Sequence, residues 1–244
     1  MNLMENYWNH VADLLQKVCS TQRENIEKAG MMIADCIDKG GCVHLGHIVH
    51  GIEMDLIGRG GGPAFYKAFD YNLVVNDAVR KRDRSSIDTS IEGQAAYALK
   101  ASNVCPGDVL IVSSVSGRTL KVVDLAYEAK KMGVTVIALS SMEYASQVDA
   151  VHSSGKKLSE MVDLTLDNCA PAAEAMIEVE GLEPHFAAAS GISSDFIMWS
   201  VTSVAVEELM KRGKTPGIYK SANFPGGADY NKNFVNPQYE EKGY

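Results

Sequence analysis

The sequence predicts an α/β chain, a doubly wound parallel sheet flanked by helices. Three observations carry this expectation. From Cys42 onward, short apolar runs alternate with stretches of helical periodicity, the pattern of βαβ units. The apolar run 109–112 hands over directly to a turn rich in hydroxyls, after which Leu120, Val122, Val123, Leu125 and Ala126 recur at helical spacing. The chain has 244 residues, 46% of them hydrophobic, enough for one sizeable core, so a single domain over 1–244 is expected.

Residues of about 1–39 read as a helical pair broken near Ser20, where Thr21 and Glu24 have capping-box spacing. A short strand follows at 42–46, then a helical stretch to about Gly58 and a bend at Gly60, Gly61, Gly62 and Pro63. The chain is expected to re-enter the sheet near 72–75, where Leu73, Val74 and Val75 favour a strand. A helix at about 92–100, a central strand from Asp108, strands near 134–139 and 164–166, and a helix over about 194–212 complete the alternation. Ser193 or Ser194 suits the N-cap of that last helix.

Beyond Gly213 no long periodic helix is evident, and an extended tail over about 213–244 is expected. It holds six aromatics, Tyr219, Phe224, Tyr230, Phe234, Tyr239 and Tyr244. A disordered tail is poor in such residues, so this one should pack, with the 220–227 segment across its own domain or a partner near the cleft.

Parallel sheets bind ligands beyond the carboxyl ends of their strands. Gly46, Ser114, Ser140 and Asn168 each fall just past a predicted strand end. The richest of these junctions is the S-x-S-G-x-T turn of Ser114, Ser116, Gly117 and Thr119, preceded by Ser113. The first amides of a helix have no intrahelical partner and carry partial positive charge, which favours an anion there. Gly117 permits close backbone approach, and the hydroxyls donate to phosphate oxygens. A lone N-cap at Ser116 or Thr119 needs one hydroxyl; this turn offers four in the seven positions 113–119.

This turn, after an apolar strand, resembles the phosphosugar-binding signature of the sugar isomerase (SIS) superfamily. The segments 128–141, 152–157 and 162–168 resemble the following parts of a bacterial phosphosugar-binding branch similar to phosphoheptose isomerases, and the likeness spans roughly 42–227. It implies a SIS-type fold, a flavodoxin-like three-layer sandwich, and assembly as a homodimer or larger homo-oligomer with sites near subunit boundaries. It also implies an acidic residue four positions before an arginine on the helix after the first strand, a spacing met by Asp55 and Arg59. Where relatives carry a second glycine and a serine before that helix, this chain has Ile48 and Val49.

The expected activity is that of a phosphosugar aldose–ketose isomerase working through an enediol. A base must take a proton beside a carbonyl, and a second group must move protons among the oxygens. Asp55 or Glu53 suits the first task; His50 or His185 suits the second. Gly46, His47, Ser113, Ser140, Ser141 and Asn168 join the turn as expected substrate contacts. Alternatives are a noncatalytic phosphosugar sensor, a lyase or deaminase on an amino sugar phosphate, and an isomerase of a sulfonated sugar. No cofactor is required, although His47, His50 and Glu53 at three-residue steps could take a divalent metal.

The remaining features narrow the field. A net charge of −8 argues against nucleic acid and acidic membranes as partners. Five cysteines without a C-x-x-C pair argue against disulfides and structural zinc. The acidic, weakly apolar start is not a signal peptide, no run is long enough to span a bilayer, and a cytoplasmic protein is expected. Neither G-x-G-x-x-G after a strand nor a P-loop is present, which disfavours nucleotides. His44, inside an apolar strand, reads as a core histidine, and the basic cluster Arg80, Lys81, Arg82 and Arg84 as a solvated turn. The segment from His152 to Lys157 is either a surface loop or a cover over the ligand.

Overall fold

In the computed structural model, which describes residues 2–46, 49–87 and 90–244, the centre is a five-stranded parallel sheet. Its strands are β1 (Val43–Leu45), β2 (Tyr66–Ala68), β3 (Val109–Ser113), β4 (Thr135–Ser140) and β5 (Leu164–Asp167), in the order β2-β1-β3-β4-β5. That order reverses direction between β1 and β3, so a crevice opens at their carboxyl ends, where such sheets bind ligands.

Both faces of the sheet are apolar because the two sets of alternating side chains are each covered. Val43, Leu45, Val109, Ile111, Ile137, Leu139, Leu164 and Leu166 pack on α1 (Leu3–Asp38) and α6 (Ser190–Lys211). Leu110, Val112, Val136 and Ala138 pack on α3 (Gln94–Ala101) and α4 (Leu120–Lys131). A three-layer sandwich results. Each fully buried Leu or Ile contributes roughly 1.5–3 kcal/mol.

The expected break near Ser20 is absent, and α1 is one continuous helix. Asn2 caps it by accepting from the Met4 and Glu5 amides. Its buried stripe of Leu14, Val18, Gln22, Ile26, Ala29, Ile33 and Ile37 keeps helical spacing through the supposed break. Ser20 and Thr21 donate back to the Lys17 carbonyl, at 3.0 and 2.8 Å, so their hydroxyls do not interrupt the helix. Gln22 interrupts the apolar stripe because its side-chain carbonyl accepts the Asp167 amide at the edge of β5. Gly30 lets α1 meet α6 closely, since a Cβ there would lie 2.5 Å from Val204 Cβ.

The second strand lies earlier than expected. Tyr66, fully buried, pairs with Val43, whereas Leu73, Val74 and Val75 are exposed in the connection to α3. Strand propensity lost to the burial of Phe65 and Tyr66. Helix α6 likewise starts before Ser193, after Ala189; Ser193 donates to the Ala189 carbonyl from inside the helix, and neither it nor Ser194 caps it. A separate antiparallel hairpin, β6 (Ala175–Ile177) with β7 (Phe186–Ala188), was not expected from the sequence.

Of the tail's aromatics, Tyr239 and Tyr244 pack partly buried against the core while Phe224 and Phe234 are exposed, and the tail is partly helical rather than extended, with α7 (Gly227–Tyr230), a π-turn (Asn231–Val235) and α8 (Asn236–Lys242). Its first part docks against the glycine-rich bend. The Gly61 amide donates to Tyr219 O, Tyr219 N to Gly62 O, and Ala64 N to Gly217 O, at 2.8 to 2.9 Å.

His44 is the core histidine its strand implied, with Nε2 3.0 Å from the buried Asp108 carboxylate. Asp108 also accepts the Cys42 and Cys105 amides and so ties the start of the sheet together. All five cysteines are free thiols, and burial, with the Asp108 charge second, pushes the Cys36 thiol up to about 12. No helix among the described residues is long and apolar enough to cross a membrane.

Candidate functional site

The turn between β3 and α4 is held by backbone bonds on all sides. Ser114 N donates to Leu139 O, Gly117 N to Ser114 O, Ser141 N to Val115 O and Leu158 N to Gly117 O. Gly117 sits at φ 68°, a conformation that needs glycine, and a Cβ there would come within 3.3 Å of Ser140 Oγ. Thr119 occupies the N-cap of α4, yet its side chain makes no capping bond. Its hydroxyl instead lies 2.9 Å from Ser114 Oγ, and its amide donates to that same oxygen. The simple capping role is therefore not what these hydroxyls do.

A cleft of about 210 Å³ opens beside this turn, lined by Ser113, Ser114, Ser116, Thr119, His50 and Glu174, with Tyr144 at its side. Ser113 is 3% exposed, and its hydroxyl has no hydrogen-bond partner. A buried donor left unpaired costs about 1–3 kcal/mol, a penalty that a bound anion would remove.

Across the cleft, His50 Nε2 lies 3.4 Å from Glu174 Oε2, and the same carboxylate oxygen accepts the Ser190 hydroxyl at 3.2 Å. His50 and Glu174 both hold left-handed backbone, φ 54° and 71°. For residues with a Cβ that conformation is strained, and such strain gathers at functional sites. Glu174 escaped the sequence reading. Its one signal is position, shortly past a strand end and Pro171.

The other expected residues divide. Ser140, fully buried, donates to Ser114 O at 2.8 Å, and Ser141 donates to Ala170 O while capping α5 (Met142–Ser146). Asn168 bonds Ser194 and the Ala170 amide. Ser140 and the Ser141 amide hold the turn from behind, Asn168 ties the end of β5 to α6, and none of the three lines the cleft. Gly46 lies at the end of β1, where a Cβ would meet Val112 Cγ1 at 2.9 Å, and His47 lies outside the described residues.

Asp55, on α2 (Glu53–Leu56), is ion-paired with Arg59 and half-exposed; it does not line the cleft. Glu53, on the same short helix, is partly buried and does not line it either. His185 is exposed before β7 and is likewise absent from the cleft wall. A carboxylate not foreseen, Asp195 on α6, has one oxygen buried without a partner. Burial, reinforced by the Asp55 charge, raises its pKa above the usual carboxylate range, with Arg59 opposing.

The segment from His152 to Lys157 is folded onto the protein. His152 is buried, with Nδ1 2.8 Å from Ser154 Oγ, and Lys157 Nζ donates to the Ala145 and Val148 carbonyls. Arg80, Lys81, Arg82 and Arg84 are exposed, as a solvated turn requires. Among the described residues, no three His, Cys, Asp or Glu side chains converge to hold a metal ion.

The chain has relatives among known proteins. A family model described as the SIS domain matches residues 6–141, and the UPF0309 protein of Shouchella clausii is 33% identical over 95% of both chains. The chain belongs to the SIS domain family. Among solved SIS-like structures, a phosphoheptose isomerase from Francisella tularensis superposes with a TM-score of 0.53 at 16% identity, covering 86% of this chain and 99% of its own. The sugar isomerase domain of an RpiR transcription factor from Sphaerobacter thermophilus gives 0.51 at 17% identity, covering 86% and 94%. At these identities the likeness establishes the fold, so the chemistry of this SIS domain rests on its own residues.

Proposed function

We propose that this SIS domain protein is a phosphosugar aldose–ketose isomerase. The observation that carries the reading is the cleft itself: a hydroxyl-lined turn at a helix start, with an unpaired buried hydroxyl at Ser113, faces an imidazole–carboxylate pair. The phosphate sits on Ser114, Ser116, Gly117 and Thr119, with Ser113 donating from below. Ser140 and Ser141 act indirectly, by fixing the turn, and Asn168 by tying the end of β5 to α6.

In the reaction, the Glu174 carboxylate takes the proton from the carbon beside the carbonyl, and His50 delivers a proton to the carbonyl oxygen, giving an enediol. Reprotonation on the neighbouring carbon, with loss of the other hydroxyl proton, completes the exchange. Positioned acid–base groups of this kind contribute roughly 10²–10⁴-fold each. The phosphoheptose isomerase with this fold supports sugar phosphates as the substrate class.

A second reading, a noncatalytic sensor of the same ligands, is favoured by the regulator domain of like fold and by the diversion of Asp55 to Arg59. Proton NMR in deuterated water separates the two, using tetrose to heptose phosphates. Loss of the carbon-bound proton beside the carbonyl, with new sugar signals, is expected of an isomerase. Saturable binding without exchange would instead identify the sensor.

A further inference from the structure

The wall of the cleft holds a polar side chain that neither the anion nor the proton transfers use. Tyr144 lies there, on α5, with its ring packed partly buried against the core. Its amide donates to Ser141 Oγ at 3.0 Å and its carbonyl accepts the Gln147 amide at 3.0 Å, so its backbone is engaged inside the helix. Among the described residues nothing hydrogen-bonds its phenolic oxygen. What Tyr144 offers the cleft is therefore its ring and a hydroxyl able both to donate and to accept.

Tyr144 is tied to both sides of the site. Ser141, whose hydroxyl caps α5, donates its own amide to Val115 O in the anion turn at 2.9 Å. On the other side, Glu143 Oε1 accepts the Ala172 amide at 3.1 Å, two residues before Glu174. Helix α5 thus acts as a strut between the turn and the segment that carries the carboxylate, and it holds Tyr144 at a fixed reach from each. In a cleft of about 210 Å³, a linear sugar phosphate with its anion on the turn and its carbonyl end at His50 and Glu174 leaves its middle carbons for Tyr144. We infer that Tyr144 is a specificity-determining residue, whose phenol hydrogen-bonds a hydroxyl in the middle of the sugar chain and so selects chain length and configuration at that carbon. This rests on the phosphosugar reading of the cleft and deepens it by naming the group that reads the chain.

The test is calorimetric titration of the whole protein and of Tyr144→Phe, which keeps the packed ring and removes the hydroxyl. The probes are inorganic phosphate and four carbonyl-free analogues that bind without turnover: glycerol 3-phosphate, erythritol 4-phosphate, ribitol 5-phosphate and glucitol 6-phosphate. Both proteins should bind inorganic phosphate equally. In the unaltered protein, affinity should step up roughly two- to tenfold, the increment of one hydrogen bond, at the chain length that first brings a hydroxyl to the phenol. That step should vanish in Tyr144→Phe. Deoxygenating the same analogue one carbon at a time should lose the same factor at a single middle carbon, and because this series uses the unaltered chain, poor folding of the variant leaves a decisive test in place. Matching profiles for the two proteins, or indifference to every deoxygenation, would overturn the Tyr144 assignment while phosphate binding keeps the turn. Failure of phosphate and every analogue to bind would overturn both.

Discussion

His50 and Glu174 face each other at 3.4 Å from separate loops, each in left-handed backbone, φ 54° and 71°. Neither loop position is glycine, so the surrounding fold must hold both conformations. The Glu174 carbonyl accepts the Ala189 amide, and its carboxylate accepts Ser190, which pins the residue to the start of α6.

If this pair performs the proton transfers, Glu174→Gln should keep the shape and lose the base. The expected outcome is phosphosugar affinity within a few-fold of the original and a kcat lower by roughly 10²–10⁴-fold. Binding by calorimetry and turnover by NMR separate the two quantities. Unchanged turnover would remove Glu174 from the chemistry, and the matching Asp55→Asn variant would then show whether the family spacing identifies the base.

Ser113→Ala has opposite expected effects on stability and binding. The Ser113 hydroxyl is buried without a partner, so removing it should leave the ligand-free protein as stable as before, or more stable by about 1 kcal/mol. A hydrogen bond to a charged group is worth about 1.5–3 kcal/mol, so phosphosugar affinity should fall roughly ten- to a hundredfold. Denaturant melts and titration of the same preparations check both halves. A drop in stability with affinity intact would make Ser113 a structural residue.

The turn was legible in the sequence because its signal is local: an apolar run, a glycine, clustered hydroxyls and a helical pattern within a short window. The parallel sheet followed from the alternation of apolar runs with helical stretches. What misled were residues with two local uses. Thr21 has the spacing of a cap but bonds back within a helix whose buried stripe, Gln22 included, runs on without a break, and Leu73 to Val75 have strand propensity without a face to bury. Glu174 was beyond local reading, since its partner His50 is distant in sequence and both depend on backbone conformations that their residue types do not announce. The Ala-rich β6–β7 hairpin offered neither β-branched runs nor a tight-turn dipeptide.

Asp195 should give stability an unusual pH dependence. Its carboxyl is held above the ordinary range by burial and by Asp55. Between the unfolded value of about 3.9 and the raised folded value, the native state holds a proton that the unfolded chain has released. Stability contributed by this group is therefore greatest below that window and falls as pH rises through it. Asp195→Asn, which mimics the neutral form, should melt with a flatter profile over the same range. Parallel profiles for the two proteins would assign the pH dependence elsewhere.

The tail should contribute to the bend that follows α2, not merely cover it. Gly60 and Gly62 are small because backbone lies against them: a Cβ on Gly60 would lie 2.8 Å from Ser221 N, and one on Gly62 2.5 Å from Leu56 O. Gly60→Ala forces the tail outward and should cost about 1–3 kcal/mol as an overpacking change. Deleting everything beyond Gly213 should cost more, because it leaves the Gly61 and Ala64 amides without their Tyr219 and Gly217 acceptors and uncovers Val235's packing site. Thermal melts of both variants rank these effects. A truncated protein that melts with the full chain would show that the tail rides on the bend without supporting it.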